Sequence, residues 1–270
     1  MYNNYSLDTV CASLCYALGI TPPESAADGN PEMNEFIDSA FGGKKADRIF
    51  IYNPDAVAMW VADKYPDYIR EVVELTQAQI PLKSVMPSVT PVCFGTFYTG
   101  VQPEIHGIRK YEKPVIKTDS FFDALIRQGK KVAIVAETKS SMSMIYLERK
   151  MDYYILDTIA DVNAKALQLI AEDKYDVICV YNGNYDALMH KHGPEGTRAL
   201  AELRCNTEAF ATFVHAIKHY WKKHNTFYGY AMDHGCHEID GECGSHGLDM
   251  EEDLNIRHYY GIIKSEMHTL

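Results

Sequence analysis

RIFIYNPD, residues 48–55, contains the run that decides the fold class. Its first part, RIFIY, is a continuous apolar run of the kind found in a strand buried on both faces of a sheet. The other predicted strands are 80–86, 131–136, 176–181, 226–232 and 258–264. Helical patterns lie between them, notably at 120–129, 159–172 and 196–222. This alternation predicts an α/β fold with a mainly parallel central sheet and helices on both faces, in three layers.

Length, charge and cysteine count limit the classes of protein that the chain can belong to. Its 270 residues suit a single domain over 1–270, with residues 1–46 as an N-terminal helical extension packed on it. The net charge of −11 disfavours a nucleic-acid polymer as partner. No apolar run approaches the roughly 20 residues of a membrane span, so no membrane contact is expected. The seven cysteines, with no signal-peptide pattern, predict a cytoplasmic protein with reduced thiols. The sequence leaves the oligomeric state open.

Aspartate and histidine side chains cluster shortly after three of the predicted strands. Asp55, Asp186 and Asp233 follow different strands, and the carboxyl ends of parallel strands meet at one edge of a sheet. His190 lies one helical turn after Asp186, and His234 adjoins Asp233. Nitrogen and oxygen ligands of this kind suit zinc, and Mn²⁺ or iron can bind them as well. The sequence therefore predicts a metal site at this edge, with His246 of the later GSHG motif as a further candidate ligand.

Thr90 is the candidate nucleophile. It precedes Pro91, a residue favoured at the first position of a helix, so Thr90 is expected at a helix N-terminus. Backbone N–H groups there attract anions. No Ser–His or Cys–His pair lies nearby in sequence, and metal coordination is the remaining way to activate a threonine hydroxyl. A helix-capping role for Thr90 is the alternative, and both roles can coexist.

The order and spacing of these motifs resemble the alkaline phosphatase superfamily, and within it the type I phosphodiesterase/nucleotide pyrophosphatase branch. The resemblance spans about residues 47–264. The matching motifs are Asp55 after the first strand, Thr90 nine residues before Thr99-Gly100, Pro103-Glu104-x-His106-Gly107-Ile108, Asp186-x-x-x-His190-x-x-Gly193-Pro194, Asp233-His234-Gly235 and His246-Gly247.

This resemblance implies a catalytic centre with two zinc ions. One ion would be held by Asp186, His190 and His246. The other would be held by Asp55, Asp233, His234 and the Thr90 oxygen. The resemblance further implies that Thr90 attacks a phosphate ester and forms a phosphothreonine, which water then hydrolyses.

Two departures from the family pattern bear on the substrate. The first motif is Asn53-Pro54-Asp55-Ala56, where relatives usually have Asp-Gly, so Asp55 matches the family pattern less closely than Asp233 does. Arg109 and Tyr111 stand where relatives have an asparagine that helps to hold a phosphate oxygen, so both are candidate substrate-binding residues. Three aspartates against two divalent ions leave a formal +1, which favours a singly charged diester over a monoester dianion. Arg109, Lys110 or Lys139 could supply further positive charge.

The predicted function is hydrolysis of phosphodiester or pyrophosphate bonds of nucleotides or small phosphodiesters. The expected partner is thus a small-molecule phosphate ester substrate. Hydrolysis of phosphonates or phosphomonoesters on the same two-zinc core is the alternative within enzymes. A catalytically silent nucleotide-binding protein is the alternative from another class.

Several residues near the motifs have a second interpretation. His237 could replace His246 as a ligand, and a structural zinc site built from Cys236, His237, Cys243 and His246 is a rival. His106 is expected to be structural. The acidic run 249–253 is expected to be a solvated loop. Three tyrosines are expected mainly to pack rather than to stack on a nucleobase: Tyr98, Tyr111 and Tyr185.

Overall fold

The computed structural model describes residues 1–266 and contains an eight-stranded sheet with helices around it. The ten strands are β1 (Tyr5–Ser6), β2 (Arg48–Pro54), β3 (Ala78–Lys83), β4 (Val132–Glu137), β5 (Asp152–Leu156), β6 (Val177–Asn182), β7 (Thr226–Tyr230), β8 (His237–Ile239), β9 (Cys243–Ser245) and β10 (Asn255–Ile263). The twelve α-helices are α1 (Thr9–Leu18), α2 (Pro31–Phe41), α3 (Met59–Lys64), α4 (Arg70–Leu75), α5 (Thr90–Thr99), α6 (Pro103–His106), α7 (Phe121–Arg127), α8 (Ser141–Met144), α9 (Ile159–Glu172), α10 (Asn184–His192), α11 (Thr197–Tyr220) and α12 (Glu251–Leu254).

The sheet has the strand order β1-β3-β10-β7-β2-β6-β4-β5. Every described pair in it is parallel except the two that involve β10. The predicted α/β class with a mainly parallel sheet is therefore confirmed. The strands β7, β2 and β6 are neighbours at its centre, and each is buried along its length because its residues are mostly apolar on both faces.

Helices cover both faces of the central strands. Tyr52 packs against Phe213 of α11, with ring centroids 5.6 Å apart. The next residue of β2, Asn53, points to the opposite face, where its Oδ1 accepts a hydrogen bond of 2.6 Å from Tyr98 of α5. The helix that begins at Thr90 therefore lies against the same sheet face as Asn53.

The structure differs from the predicted elements in several regions. Strand β5 was not predicted because its sequence DYYIL is only partly buried at the edge of the sheet, so it lacks a continuous apolar run. The hairpin β8–β9 was also not predicted, and α10 extends beyond the helical turn expected between Asp186 and His190. The last strand begins at Asn255 rather than 258 and runs antiparallel to its neighbours. Residues 226–232 form a strand only as far as Tyr230.

The first 46 residues do more than form a helical extension. Two of them, Tyr5 and Ser6, add the edge strand β1 beside β3. The helix α1 buries Val10, Cys11 and Leu14 completely. The division of the chain into domains stays a prediction. No helix in residues 1–266 combines the length and the apolar character needed to cross a membrane. All seven cysteines are free thiols.

Candidate metal centre

Three neighbouring strands deliver the predicted ligands to one edge of the sheet. Asp55 follows β2 directly, and Asp233 follows β7 after two residues. Asp186 lies in the first turn of α10, which begins two residues after β6 ends. Since β7, β2 and β6 are parallel, their carboxyl ends lie side by side. The chain topology thus brings residues from distant segments together.

Asp55, Asp233 and His234 form one group of candidate ligands, called here the inner cluster. Their ligand atoms lie within 4.8 Å of one another. His234 Nε2 lies 3.4 Å from Asp55 Oδ1 and 3.3 Å from Asp233 Oδ2. All three side chains are buried, with at most 1% of any residue exposed. Two carboxylates therefore face one imidazole in a space that water hardly reaches.

Asp186, His190 and His246 form a second group, called here the outer cluster. The Nε2 atoms of both histidines lie 3.3 Å from Asp186 Oδ1 and 3.1 Å from each other. The outer cluster is more open, because the side chain of His190 is 42% exposed. The rings of His234 and His246 are 4.1 Å apart between centroids, so the two clusters adjoin.

The three histidines hold the same tautomer, since each Nδ1 is bonded to a backbone carbonyl that can only accept. The acceptors are Gly244 O for His190, Ser88 O for His246 and Gly235 O for His234, at 2.8–2.9 Å. When the rings are neutral, each Nε2 therefore presents a lone pair to its cluster.

Two carboxylate oxygens are also left without a hydrogen bond in these clusters, Asp186 Oδ1 and Asp233 Oδ2. Lone pairs and carboxylate oxygens that converge within 3–4 Å repel one another unless a positive charge lies among them. A donor set of three nitrogens and three carboxylates suits zinc and related divalent ions. The residues of both clusters therefore fit a pair of metal ions.

The electrostatics of the clusters also favour a bound cation. Burial raises the pKa of both Asp55 and Asp233 well above the usual value of 3.8, and repulsion between the two carboxylates adds to this for Asp55. Burial lowers the pKa of His234 to about 3. In the outer cluster, the Asp186 carboxylate beside His190 raises the pKa of His190 to about 9, so positive charge is favoured there. The carboxylates thus stabilise positive charge wherever a proton or a metal ion can supply it.

Thr90 lies beside the inner cluster. It is the first residue of α5, is 4% exposed, and is followed by Pro91 in the first turn. Its Oγ1 lies 3.2 Å from Asp55 Oδ2 and 3.4 Å from His234 Nε2. The hydroxyl is therefore held between two candidate ligands at the positive end of a helix.

The predicted substrate-binding residues lie away from these contacts. Arg109 is exposed and donates to Glu104 O at 3.2 Å. Tyr111 is 63% exposed, and the Nζ of Lys113 lies 5.1 Å from its ring centroid. In residues 1–266 neither side chain forms a hydrogen bond to either cluster. Their role in substrate binding stays a prediction.

Burial and hydrogen bonds bear on the alternative interpretations of several residues. His237 Nδ1 is bonded at 2.7 Å to Asp253 Oδ1 and is absent from both described groups of candidate ligands. The expectation that the acidic run is a solvated loop is wrong for Asp253, which is fully buried. Its Oδ2 accepts a further bond from Leu248 N at 2.8 Å. Tyr98 and Tyr185 are fully buried and pack, as expected. His106 bonds Thr96 Oγ1 through Nε2 at 3.1 Å, which agrees with a structural role.

Two contacts to the carboxylates of the inner cluster were not predicted. The phenol of Tyr181, the fifth residue of β6, donates to Asp55 Oδ2. The backbone N–H of Ala56 donates to Asp233 Oδ1 at 3.2 Å, and Ala56 has a left-handed backbone with φ 63°. The register between β6 and β2 would have indicated Tyr181, because Tyr181 pairs with Asn53, which lies two residues before Asp55.

Comparison with known proteins gives a match at the level of structure. No family model and no curated protein matches the chain. Murine ectonucleotide pyrophosphatase/phosphodiesterase 5 is similar, with a TM-score of 0.57 and 15% identity over 72% of this chain. An inactive variant of that protein in complex with AMP gives a TM-score of 0.58 at 14% identity. Phosphonoacetate hydrolase from Sinorhizobium meliloti 1021, in complex with phosphonoformate, gives 0.52 at 16% identity over 73% of this chain.

The chain has an alkaline phosphatase-like fold. The resemblance that its motifs indicated is thereby confirmed at the level of the fold. The match covers 58–59% of the length of these solved chains. The two clusters of candidate ligands lie where this fold places the carboxyl ends of its central strands, at the edge formed by β7, β2 and β6.

Proposed function

We propose that this chain is a two-metal hydrolase of phosphodiester or pyrophosphate bonds, with Thr90 as its nucleophile. The observation that carries the proposal is the position of Thr90 Oγ1, within 3.4 Å of Asp55 and His234, beside two adjoining groups of metal-ligand side chains. The N-cap residue of α5 is Val89 and no side chain caps the helix, so the capping role considered for Thr90 is not seen and its buried hydroxyl is available for chemistry.

The ligands would be divided between the two clusters. Asp55, Asp233, His234 and the Thr90 oxygen would hold one ion, and the outer cluster would hold the other. Metal ions bound there supply Lewis-acid charge for an attacking hydroxyl and for a leaving oxygen. Zinc fits the Asp and His donors, and Mn²⁺ or iron fits them as well.

The chain's own residues would perform the covalent step. Thr90 Oγ1 attacks phosphorus, and the bond from phosphorus to the leaving oxygen breaks. The result is a phosphothreonine whose phosphate, when the substrate is a diester or pyrophosphate, still carries the substituent that has not left. Water then attacks the same phosphorus and releases the Thr90 hydroxyl. The N-terminus of α5 favours the negative charge on the phosphate oxygens during both steps.

Charge supports a substrate with few negative charges at the reacting group. Three aspartates against two divalent ions leave a formal +1, which balances the single charge of a phosphodiester. The solved relative that binds AMP supports a nucleotide or another small phosphodiester. A cytoplasmic location, proposed from the sequence, is compatible with a soluble small substrate of this kind.

Phosphonate hydrolysis is the second candidate, because a phosphonoacetate hydrolase has the same fold. Extra cations would favour it, and Lys113 and Lys139 adjoin each other through a 2.7 Å bond from Lys113 Nζ to Lys139 O. Lys139 follows β4, whose carboxyl end lies two strands from β2 in the sheet.

A substrate panel and one pair of variants test the proposal. Zinc-loaded protein is assayed with bis-nitrophenyl phosphate, nitrophenyl phosphate, a dinucleoside polyphosphate and phosphonoacetate. We expect the diester and the pyrophosphate to react fastest, Thr90→Ala to abolish turnover, and Thr90→Ser to keep part of it. Acid-quenched protein should carry one phosphoryl group on Thr90. Full activity of Thr90→Ala would refute the proposed nucleophile, and faster turnover of the monoester would refute the charge argument.

A further inference from the structure

Tyr181 makes a contact that the proposed function does not yet use. It is 6% exposed, and its hydroxyl donates to Asp55 Oδ2. Its ring packs edge-on against Phe94 of α5, with centroids 5.7 Å apart and planes at 81°. The phenol is therefore fixed between the nucleophile helix and the inner cluster.

The residue at position 183 fits this arrangement. A Cβ at Gly183 would lie 2.7 Å from the Tyr181 hydroxyl, closer than real side-chain contacts allow. Its backbone is not left-handed, so glycine is not needed here for conformation. The phenol oxygen that donates to Asp55 occupies the space where a side chain at position 183 would lie.

The two carboxylates of the inner cluster are held in the same manner. Asp55 has Oδ2 bonded to Tyr181, which leaves Oδ1 facing His234 Nε2 at 3.4 Å. Asp233 has Oδ1 bonded to the Ala56 N–H, which leaves Oδ2 facing the same nitrogen at 3.3 Å. Each carboxylate thus has one oxygen fixed by a donor and one oxygen directed to the centre of the cluster.

We propose that Tyr181 is a positioning residue for the metal centre, which sets the orientation of Asp55 and so the affinity of the inner cluster for its ion. This inference rests on the proposed two-metal function. Donors to ligating carboxylates commonly contribute 10- to 100-fold in metal affinity, because they fix the direction of the ligand oxygen. Tyr181 also adjoins Thr90, since both bond the same oxygen of Asp55.

The test measures metal affinity at the inner cluster alone. The full chain carries His190→Ala, which removes a ligand of the outer cluster, and is titrated with Zn²⁺ against a chromophoric chelator. Tyr181→Phe is then added, and Tyr228→Phe serves as the matched control. Tyr228 is also buried, and its hydroxyl donates to a backbone carbonyl, Leu75 O, at 2.5 Å.

We expect Tyr181→Phe to weaken Zn²⁺ binding about 10- to 100-fold and Tyr228→Phe to change it less than about twofold. The absorption bands of bound Co²⁺ should shift in Tyr181→Phe only, because the ligand direction changes. Gly183→Ala displaces the phenol without removing it and should weaken binding in the same direction. If Tyr181→Phe fails to fold, Gly183→Ala tests the role of Tyr181 in its place.

The outcomes separate the two proposals. If the His190→Ala chain binds no Zn²⁺, the proposed two-metal function is overturned together with this inference. If it binds one equivalent, and both Tyr181→Phe and Gly183→Ala match the Tyr228→Phe control, only the role of Tyr181 is overturned.

Discussion

Two fully buried aspartates should respond in opposite directions to the same substitution in metal-free protein. Asp233 and Asp253 are both 0% exposed. Asp233 has one oxygen without a hydrogen bond, whereas both oxygens of Asp253 are bonded, to His237 and to Leu248 N. If Asp233 is shaped to bind a metal ion, its charge costs stability when no ion is present. If Asp253 is structural, its charge is already compensated.

The magnitude follows from the groups that surround each carboxylate. In Asp233→Asn the amide oxygen can still accept from Ala56 N–H, and the NH₂ group takes the position 3.3 Å from His234 Nε2, which offers a lone pair. Removing a buried charge and adding this bond should raise the free energy of unfolding by about 2–4 kcal/mol. In Asp253→Asn the charge-assisted bonds from His237 and Leu248 N are replaced by weaker neutral ones, which should lower that free energy by about 1–3 kcal/mol.

The assay is thermal or urea unfolding in excess chelator at pH 7.5. For a chain of this size the melting temperature changes by roughly 2–4 °C per kcal/mol. Because burial raises the pKa of Asp233 in the fold, the stability that its protonated form provides is lost as pH rises. The advantage of Asp233→Asn should therefore grow from pH 5 to pH 8, while its Zn²⁺ binding is lost. Lower stability of Asp233→Asn than of the unsubstituted chain at pH 7.5 would refute the reasoning.

Three further outcomes are expected. Saturating Zn²⁺, at about 100 times the dissociation constant, should raise the free energy of unfolding by about 3 kcal/mol per site relative to chelator, as followed by melting temperature. The free energy of unfolding should fall between pH 6.5 and 4, and His258 should account for up to about 3 kcal/mol of this loss. Burial lowers the pKa of His258 to about 4, so protons bind the unfolded chain first. Urea unfolding of His258→Gln should show a shallower dependence on pH. Gly235→Ala should destabilise the chain and abolish Zn²⁺ binding at the inner cluster in a titration, because its Cβ would lie 2.1 Å from Glu252 O.

The sequence predicts those parts of the fold that local patterns determine. Continuous apolar runs identify the buried strands β2, β4, β6 and β7, and their alternation with helices predicts the parallel sheet. Strand β5 escapes the same reasoning because an edge strand has no need of apolar residues on both faces. The direction of β10 also escapes it, because residues 255–263 would have the same pattern in either direction.

The sequence predicts those residues of the candidate site that belong to recognisable motifs. The structure brings Thr90 and the six metal-ligand candidates to one edge because they follow neighbouring strands or lie in the loops beside them. Tyr181 and the pair of His237 with Asp253 are different. Their partners lie 16 to 126 residues away in the chain, so no local spacing in the sequence indicates these contacts. The acidic run containing Asp253 even has the composition of a solvated loop, and only the tertiary structure supplies its buried partners.

Ala56 links the unusual first motif to the geometry of the inner cluster. A left-handed backbone costs a non-glycine residue about 1–2 kcal/mol, which is why glycine is the ordinary choice there. Ala56 takes this conformation, with φ 63°, and so directs its N–H to Asp233 Oδ1. Position 56 therefore requires the left-handed turn that directs its N–H from the end of β2 to Asp233, and alanine can adopt this turn at some energetic cost. Strain of this kind persists where the surrounding structure enforces it, and here β2 and the buried Asp233 fix both ends of the turn.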